Sequence, residues 1–388
     1  MLIWLGLCAL AAFVMAAATA AGAVSPAPIF ALSPSSPKAA AALSPAAVHI
    51  AFAFGALPLI FGAIAHFVPV LTKSRLPAPL IQSLPCVVQA AGLLAVFGLM
   101  GALPPWSLHL AASCDAVAAL LLLFWLTRRL RQSLGAPHPG AHWYGAALLC
   151  LFLAVSLVPL WLAMPVLRPA LRLFHLHLNT LGVIGLAALG TLPVLFPTAL
   201  QQPEPTATAR LRSDLFWALA GVVLIAAGAA VGFWLAVPGA ALCAVVIGRD
   251  LVAWGRAHGK KIFAPGAAPL FAATLGLLLV LASGIAHGAG WTAARPALAA
   301  YLSLFLLPLV TGALSQLTPV WRHPGADTPL RQAMQRGLIA GGRLRAALFF
   351  LAGAGWLVDA PLAGLLALIA LSDFALRLLL ALYNSRHA

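Results

Sequence analysis

Charge is what this sequence has least of. Of 388 residues only 7% are Asp, Glu, Lys or Arg, whereas about a quarter of an ordinary soluble domain is charged. With 63% hydrophobic residues and a mean hydropathy of +1.04, the chain is excluded from the soluble globular class and belongs in a membrane. It also lacks the ten-residue stretches of alternating polar and apolar side chains that build a β-barrel, which leaves helices. Paired cysteines are missing as well. Cys8, Cys86, Cys114, Cys150 and Cys243 stand alone, in neither C-x-x-C nor C-x-x-C-H, which excludes covalent c-type haem, iron–sulfur clusters and zinc ribbons. The seven acidic residues are too few and too scattered to favour magnesium or calcium.

What is present is a succession of apolar runs, each about long enough to cross a bilayer. Twelve are expected, centred on residues 2–24, 46–71, 80–103, 106–127, 143–164, 171–200, 214–236, 238–255, 265–287, 296–318, 337–358 and 360–382. The 33 glycines and 30 prolines do not argue against this, because membrane helices tolerate both when their neighbours satisfy the freed backbone groups. Small residues at Ala21–Ala23 would suit a signal-peptide cleavage site, but no Lys or Arg precedes the first run, so it is expected to be retained. The connections are short, and residues 1–388 read as a single integral-membrane domain.

The basic residues orient the chain. Of the 22 Lys and Arg, all but Lys38, Arg168, Arg172 and Arg295 follow even-numbered spans or lie at the C-terminal end, which predicts that both termini are cytoplasmic in a bacterial inner membrane. The formal charge of +15 is thus read as topology. Dispersed over short loops, it does not form the basic face that a nucleic-acid partner requires, so membrane lipid is the expected surrounding.

Spans 2, 6 and 10 share a mark: Gly62, Gly190 and Gly312 are each followed seven residues later by Pro69, Pro197 and Pro319. The glycines are 128 and 122 residues apart, which predicts an all-α membrane protein of about twelve transmembrane helices in three pseudo-symmetric four-helix units, roughly 1–130, 131–260 and 261–388. Against this frame the histidines sort by depth. His49, His109, His175, His177 and His287 fall toward the outer surface. His66 lies 17 residues beyond His49, about 25 Å along the helix, too far to share a site. His138, His142, His258, His323 and His387 fall in cytoplasmic loops or the tail and are read as solvated. His49 and His177 each precede their marker glycine by 13 residues; the same count in the third unit reaches Ala299. His175 and His177 point about 200° apart on a helix, so they do not chelate one ion together. Intramembrane histidine either marks a functional site or hydrogen-bonds a neighbouring helix, and for five at one depth metal is the favoured reading, since neutral imidazole suits haem iron and copper.

Span 2, with His49-Ile-Ala-Phe-Ala-Phe-Gly, Gly62 and Pro69-Val-Leu-Thr72, resembles the second helix of the NnrS family of twelve-helix membrane haem and copper proteins tied to nitric-oxide stress. More remotely, three groups of four helices are similar to subunit I of haem-copper oxidases and nitric-oxide reductases. That resemblance implies haem b bound through His49 and a copper histidine in span 6, where His175 or His177 stands; the shared register makes His177 the second expected haem ligand, with His175, His109 and His287 the other candidate metal ligands. The catalytic residues are unassigned. Span 10 has no histidine and span 7 no His-His pair, so an oxidase-type binuclear centre is not expected. The implied function is capture or redox conversion of a small diatomic such as nitric oxide near the periplasmic face, with an electron donor such as a quinol or a cytochrome. Asp115, six residues after His109, is a candidate to orient a ligand imidazole. Asp373 is expected to pair with Arg377 one helical turn on, so no proton pumping is expected. Two other classes fit the same architecture, a transporter built on internal repeats and an assembly subunit of a haem enzyme.

Overall fold

The computed structural model describes residues 1–20, 44–133, 135–292 and 295–387, and among these it is helical with no strand. Twelve helices are long and apolar enough to cross a membrane: α1 (Leu2–Thr19), α2 (Pro45–Leu71), α3 (Pro79–Leu99), α4 (Trp106–Arg131), α5 (Gly140–Ala163), α6 (Pro165–Ala199), α7 (Ala207–Val231), α8 (Phe233–Phe263), α9 (Ala268–Gly288), α10 (Ala297–Arg322), α11 (Pro329–Leu357) and α12 (Ala363–Ser385). They match the twelve expected spans to within several residues. The suggested cleavage site at Ala21–Ala23 and Lys38 lie outside the described residues. The chain folds as two compact units, a central one of residues 48–193 and 205–246, and a terminal one of residues 1–47, 194–204 and 247–388. Trp4, Trp106, Trp234, Trp291 and Tyr383 are all exposed and fall at or near helix ends, the positions aromatic rings take at the membrane–water boundary.

The three helices with a glycine–proline mark share a second feature that composition does not disclose. Each contains a π-helical turn shortly before its marker glycine: Ile50–Ala56 in α2, Leu178–Gly185 in α6 and Leu302–Leu306 in α10. The wider spiral is visible in its hydrogen bonds, with Leu57 N–H donating to Phe52 O, Leu186 to Leu181 O and Leu307 to Leu302 O, each five residues back. In two of the three, the cause is written in the sequence. Pro58 and Pro308 directly follow the turn and have no N–H for the carbonyl four residues earlier, so an α-helical ladder could not continue through them.

A π turn is wider than an α turn, and its neighbours make room. In the central unit, a Cβ on Gly92 of α3 would lie 2.6 Å from the backbone carbonyl of Ala53, inside the first π turn. In the terminal unit Gly276 of α9 and Gly353 of α11 both press on Leu304, in the third. The Leu304 carbonyl is the one that Pro308 deprives of its α-helical donor, and it is the atom a side chain on Gly276 would strike. Only glycine permits so close an approach.

Helix α11 differs from expectation. It begins earlier and breaks at Ala340–Gly341, where Gly341 adopts a left-handed φ of 75°. The break strands carbonyls, and Arg345 takes them up, donating to Leu338 O at 3.1 Å and Ala340 O at 3.4 Å while its guanidinium lies over Phe374. Asp373 of α12 completes the arrangement. Both of its oxygens accept from Arg377 Nε at 2.9 Å, as the spacing predicts, and Oδ2 also accepts from Arg345 Nη1 at 3.5 Å. The carboxylate is thus held by two guanidiniums.

Replacing Gly92 by valine is expected to lower the melting temperature in detergent, since overpacking against a backbone carbonyl costs about 1–3 kcal/mol. Gly284→Ala, where a Cβ meets nothing within 4 Å, is the control and should leave stability unchanged or raise it by roughly 0.5–1 kcal/mol. Equal melting temperatures for the Gly92 variant and the control would contradict the packing described.

Candidate metal-binding site

The π turns fix where the outer histidines sit. His49 is the last residue before the first π turn and His177 the last before the second, so the 13-residue register reflects a shared backbone feature. In α10 the residue in that place is Tyr301, not Ala299. The count missed it because the third π turn has five residues where the others have seven and eight, which moves its start two positions toward the glycine. Tyr301 is buried, with Phe305 edge-on at 5.3 Å.

Within the central unit the structure sets the His175 ring against the His49 ring. Their centroids are 6.5 Å apart and their planes within 17° of parallel. His175 Nδ1 lies 2.8 Å from the carbonyl oxygen of Ala154 in α5. A carbonyl only accepts, so Nδ1 carries the hydrogen and the lone pair of this imidazole is on Nε2. The Trp161 ring meets His175 in a T-shaped contact, centroids 4.9 Å apart. Both contacts come from α5, and Pro159 lies between them, without an N–H for the Val155 carbonyl and able to bend the helix at that point.

The spacing suits a metal ion. Two imidazoles that bind one ion from opposite sides with bonds of about 2.0–2.1 Å place their ring centres about 6.3–6.5 Å apart. An imidazole whose Nδ1–H is engaged by a carbonyl presents Nε2 in a fixed orientation, the usual outer-shell arrangement of ligating histidine. Among the described residues no three His, Cys, Asp or Glu side chains gather as a metal-ligand group.

The remaining candidates are placed as follows. His177 Nδ1 donates to Leu173 O at 2.8 Å, four residues back on its own helix. His109 is exposed at the start of α4, and His287 is exposed at the end of α9, with Nδ1 3.2 Å from Thr292 O. Asp115 is buried in the middle of α4, 7% exposed, with no hydrogen-bond partner for Oδ1. Trp161 and Ala154 were not among the sequence candidates. A backbone acceptor leaves no mark in a sequence, and one tryptophan among eleven gives no reason to be singled out.

Comparison with known protein families finds none that matches the chain, and comparison with curated proteins finds no relative. The class that the fold defines is a multi-span helical membrane protein.

Of the histidines read as solvated, His258 is buried, and His138 and His323 are half-buried. His258 is buried, with Nδ1 3.1 Å from Gln202 Oε1 and its ring beside Phe196, because the end of α8 folds back against the segment that follows α6. His138 is half-buried in the connection between α4 and α5. Its Nδ1 accepts from Gly140 N–H at 3.2 Å, and burial lowers its pKa from the ordinary 6.5. His142 is exposed as expected. For His138 the sign is clear: the unfolded chain takes up the proton first, so the contribution is intact above pH 6.5 and is lost as pH falls below it. The melting temperature should drop between pH 7.5 and pH 5, and His138→Asn should make that drop shallower. An identical pH profile in the variant would show that His138 does not contribute.

Proposed function

We propose that this chain is an NnrS-like haem protein of the bacterial inner membrane, with both termini cytoplasmic, that binds or converts a small diatomic such as nitric oxide near the periplasmic face. The observation that carries the reading is the His49–His175 pair, two nearly parallel imidazoles at the separation one metal ion requires. His49 and His175 would hold the iron. Haem b bound there would supply reversible one-electron chemistry and an iron with affinity for diatomic ligands. Copper is the second metal that two imidazoles suit. Around the pair the chain's own residues do three things. The Ala154 carbonyl holds the proton on His175 Nδ1, so that the ligating nitrogen keeps its lone pair. The largely apolar α2, α5 and α6 around the pair would favour a neutral diatomic over a charged substrate. The membrane-facing surface gives electron donors such as a quinol access from the lipid, while a cytochrome would approach from the aqueous side.

The haem-to-protein ratio of the purified protein tests the assignment. His49→Ala and His175→Ala should each lose at least about half of the bound haem, and His142→Ala should keep it. A greater loss in His177→Ala than in His175→Ala would move the α6 ligand two residues along, and full occupancy in all of these variants would refute the site. Topology has its own test. A reporter fused to the C-terminus should be active only when it is a cytoplasmic reporter, and an active periplasmic one would invert the assignment of the outer face.

A further inference from the structure

We infer that Trp161 is a positioning residue that, together with the Ala154 carbonyl, fixes the plane of the His175 ring parallel to that of His49 and thereby sets the electronic state of a metal held between them. The inference rests on reading His49 and His175 as ligands, but concerns a residue that neither ligates nor has a charge.

A ligating imidazole is anchored at Nε2 and at Cβ, and those two constraints leave it free to turn about the line joining them. Two contacts remove this freedom at His175. The Nδ1–H bond to Ala154 O, at 2.8 Å, selects one rotational setting. Trp161 stands at 84° to the His175 plane with centroids 4.9 Å apart, so turning His175 in either direction drives it into the indole or leaves a gap beside it. Ala154 and Trp161 are seven residues apart, two helical turns, and so share one face of α5; Pro159, a residue able to bend a helix, lies between them. The outcome is the 17° angle between the His175 and His49 planes.

That angle has a chemical consequence. An imidazole that held a haem iron would interact through its π system with one of two otherwise equivalent d orbitals. Parallel planes act on the same orbital and separate the pair in energy, whereas perpendicular planes act on both and leave them nearly equal. With haem bound there, the packing around His175 would favour the first state without changing any ligand.

Electron paramagnetic resonance of the oxidised, haem-loaded protein at low temperature reads this directly. The wild type should give the rhombic low-spin signal of near-parallel ligand planes. Trp161→Ala should keep the haem yet broaden the signal or shift it toward the strongly anisotropic form of crossed planes, and Trp161→Phe, which restores an aromatic wall, should return it most of the way. Pro159→Ala should move it in the same direction as Trp161→Ala. If Trp161→Ala loses its haem, Trp161→Phe carries the test through a smaller shift of the same sign. Unchanged spectra in haem-loaded Trp161 variants would overturn the positioning role while leaving the ligand assignment standing. A wild-type protein without haem would overturn both.

Discussion

Inside a bilayer no water is present to pair with a bare backbone N–H or C=O, and every such group must find its partner within the chain. Most of this structure follows from that requirement. It dictates helices, and it makes each internal proline a local problem with few solutions. At Pro58 and Pro308 the solution is a π turn, in which the hydrogen bonds reach one residue further. The π turn widens the helix, and the widening is accommodated by Gly92, Gly276 and Gly353 on neighbouring helices. At the break in α11 the solution is a side chain, Arg345, 1% exposed, whose guanidinium serves two stranded carbonyls and a carboxylate together. The candidate site uses the same resource in reverse, since the Ala154 carbonyl in α5, five residues before Pro159, is the group that meets His175 Nδ1.

Features set by local composition were legible in the sequence. Twelve spans follow from the apolar runs, and the Asp373–Arg377 pair follows from helical spacing. The glycine–proline marks found the three helices that contain π turns, although they did not disclose the turns themselves, because the middle one has no proline directly after it and uses a segment containing Gly182 and Gly185. Features that depend on a third element were not legible. Counting residues singled out His177, and that the His175 ring stands against His49 was not legible, since side-chain direction on α6 matters only relative to where α5 and α2 stand. The same holds for Tyr301, displaced by a shorter π turn, and for His258, which a linear reading places in a solvated loop and the fold buries beside Phe196.

The site that results is sparse, and its sparseness narrows the chemistry. Around His175 stand a second imidazole, one backbone acceptor and an indole, and among the described residues no three metal-ligating side chains gather. Asp115 and Asp373 are the acids best placed within the spans, and Asp373 is held by two guanidiniums. Protein and metal would therefore divide the work, with the chain providing geometry and the exclusion of water, and the bound group providing electrons.

The absorption spectrum of the purified protein, expressed with haem supply and recorded before and after dithionite and then nitric oxide, tests that division most directly. The account predicts a Soret band, sharp visible bands on reduction that mark a six-coordinate low-spin iron with two imidazole ligands, and a spectral shift when nitric oxide is added. A colourless protein that also contains no iron or copper would contradict it.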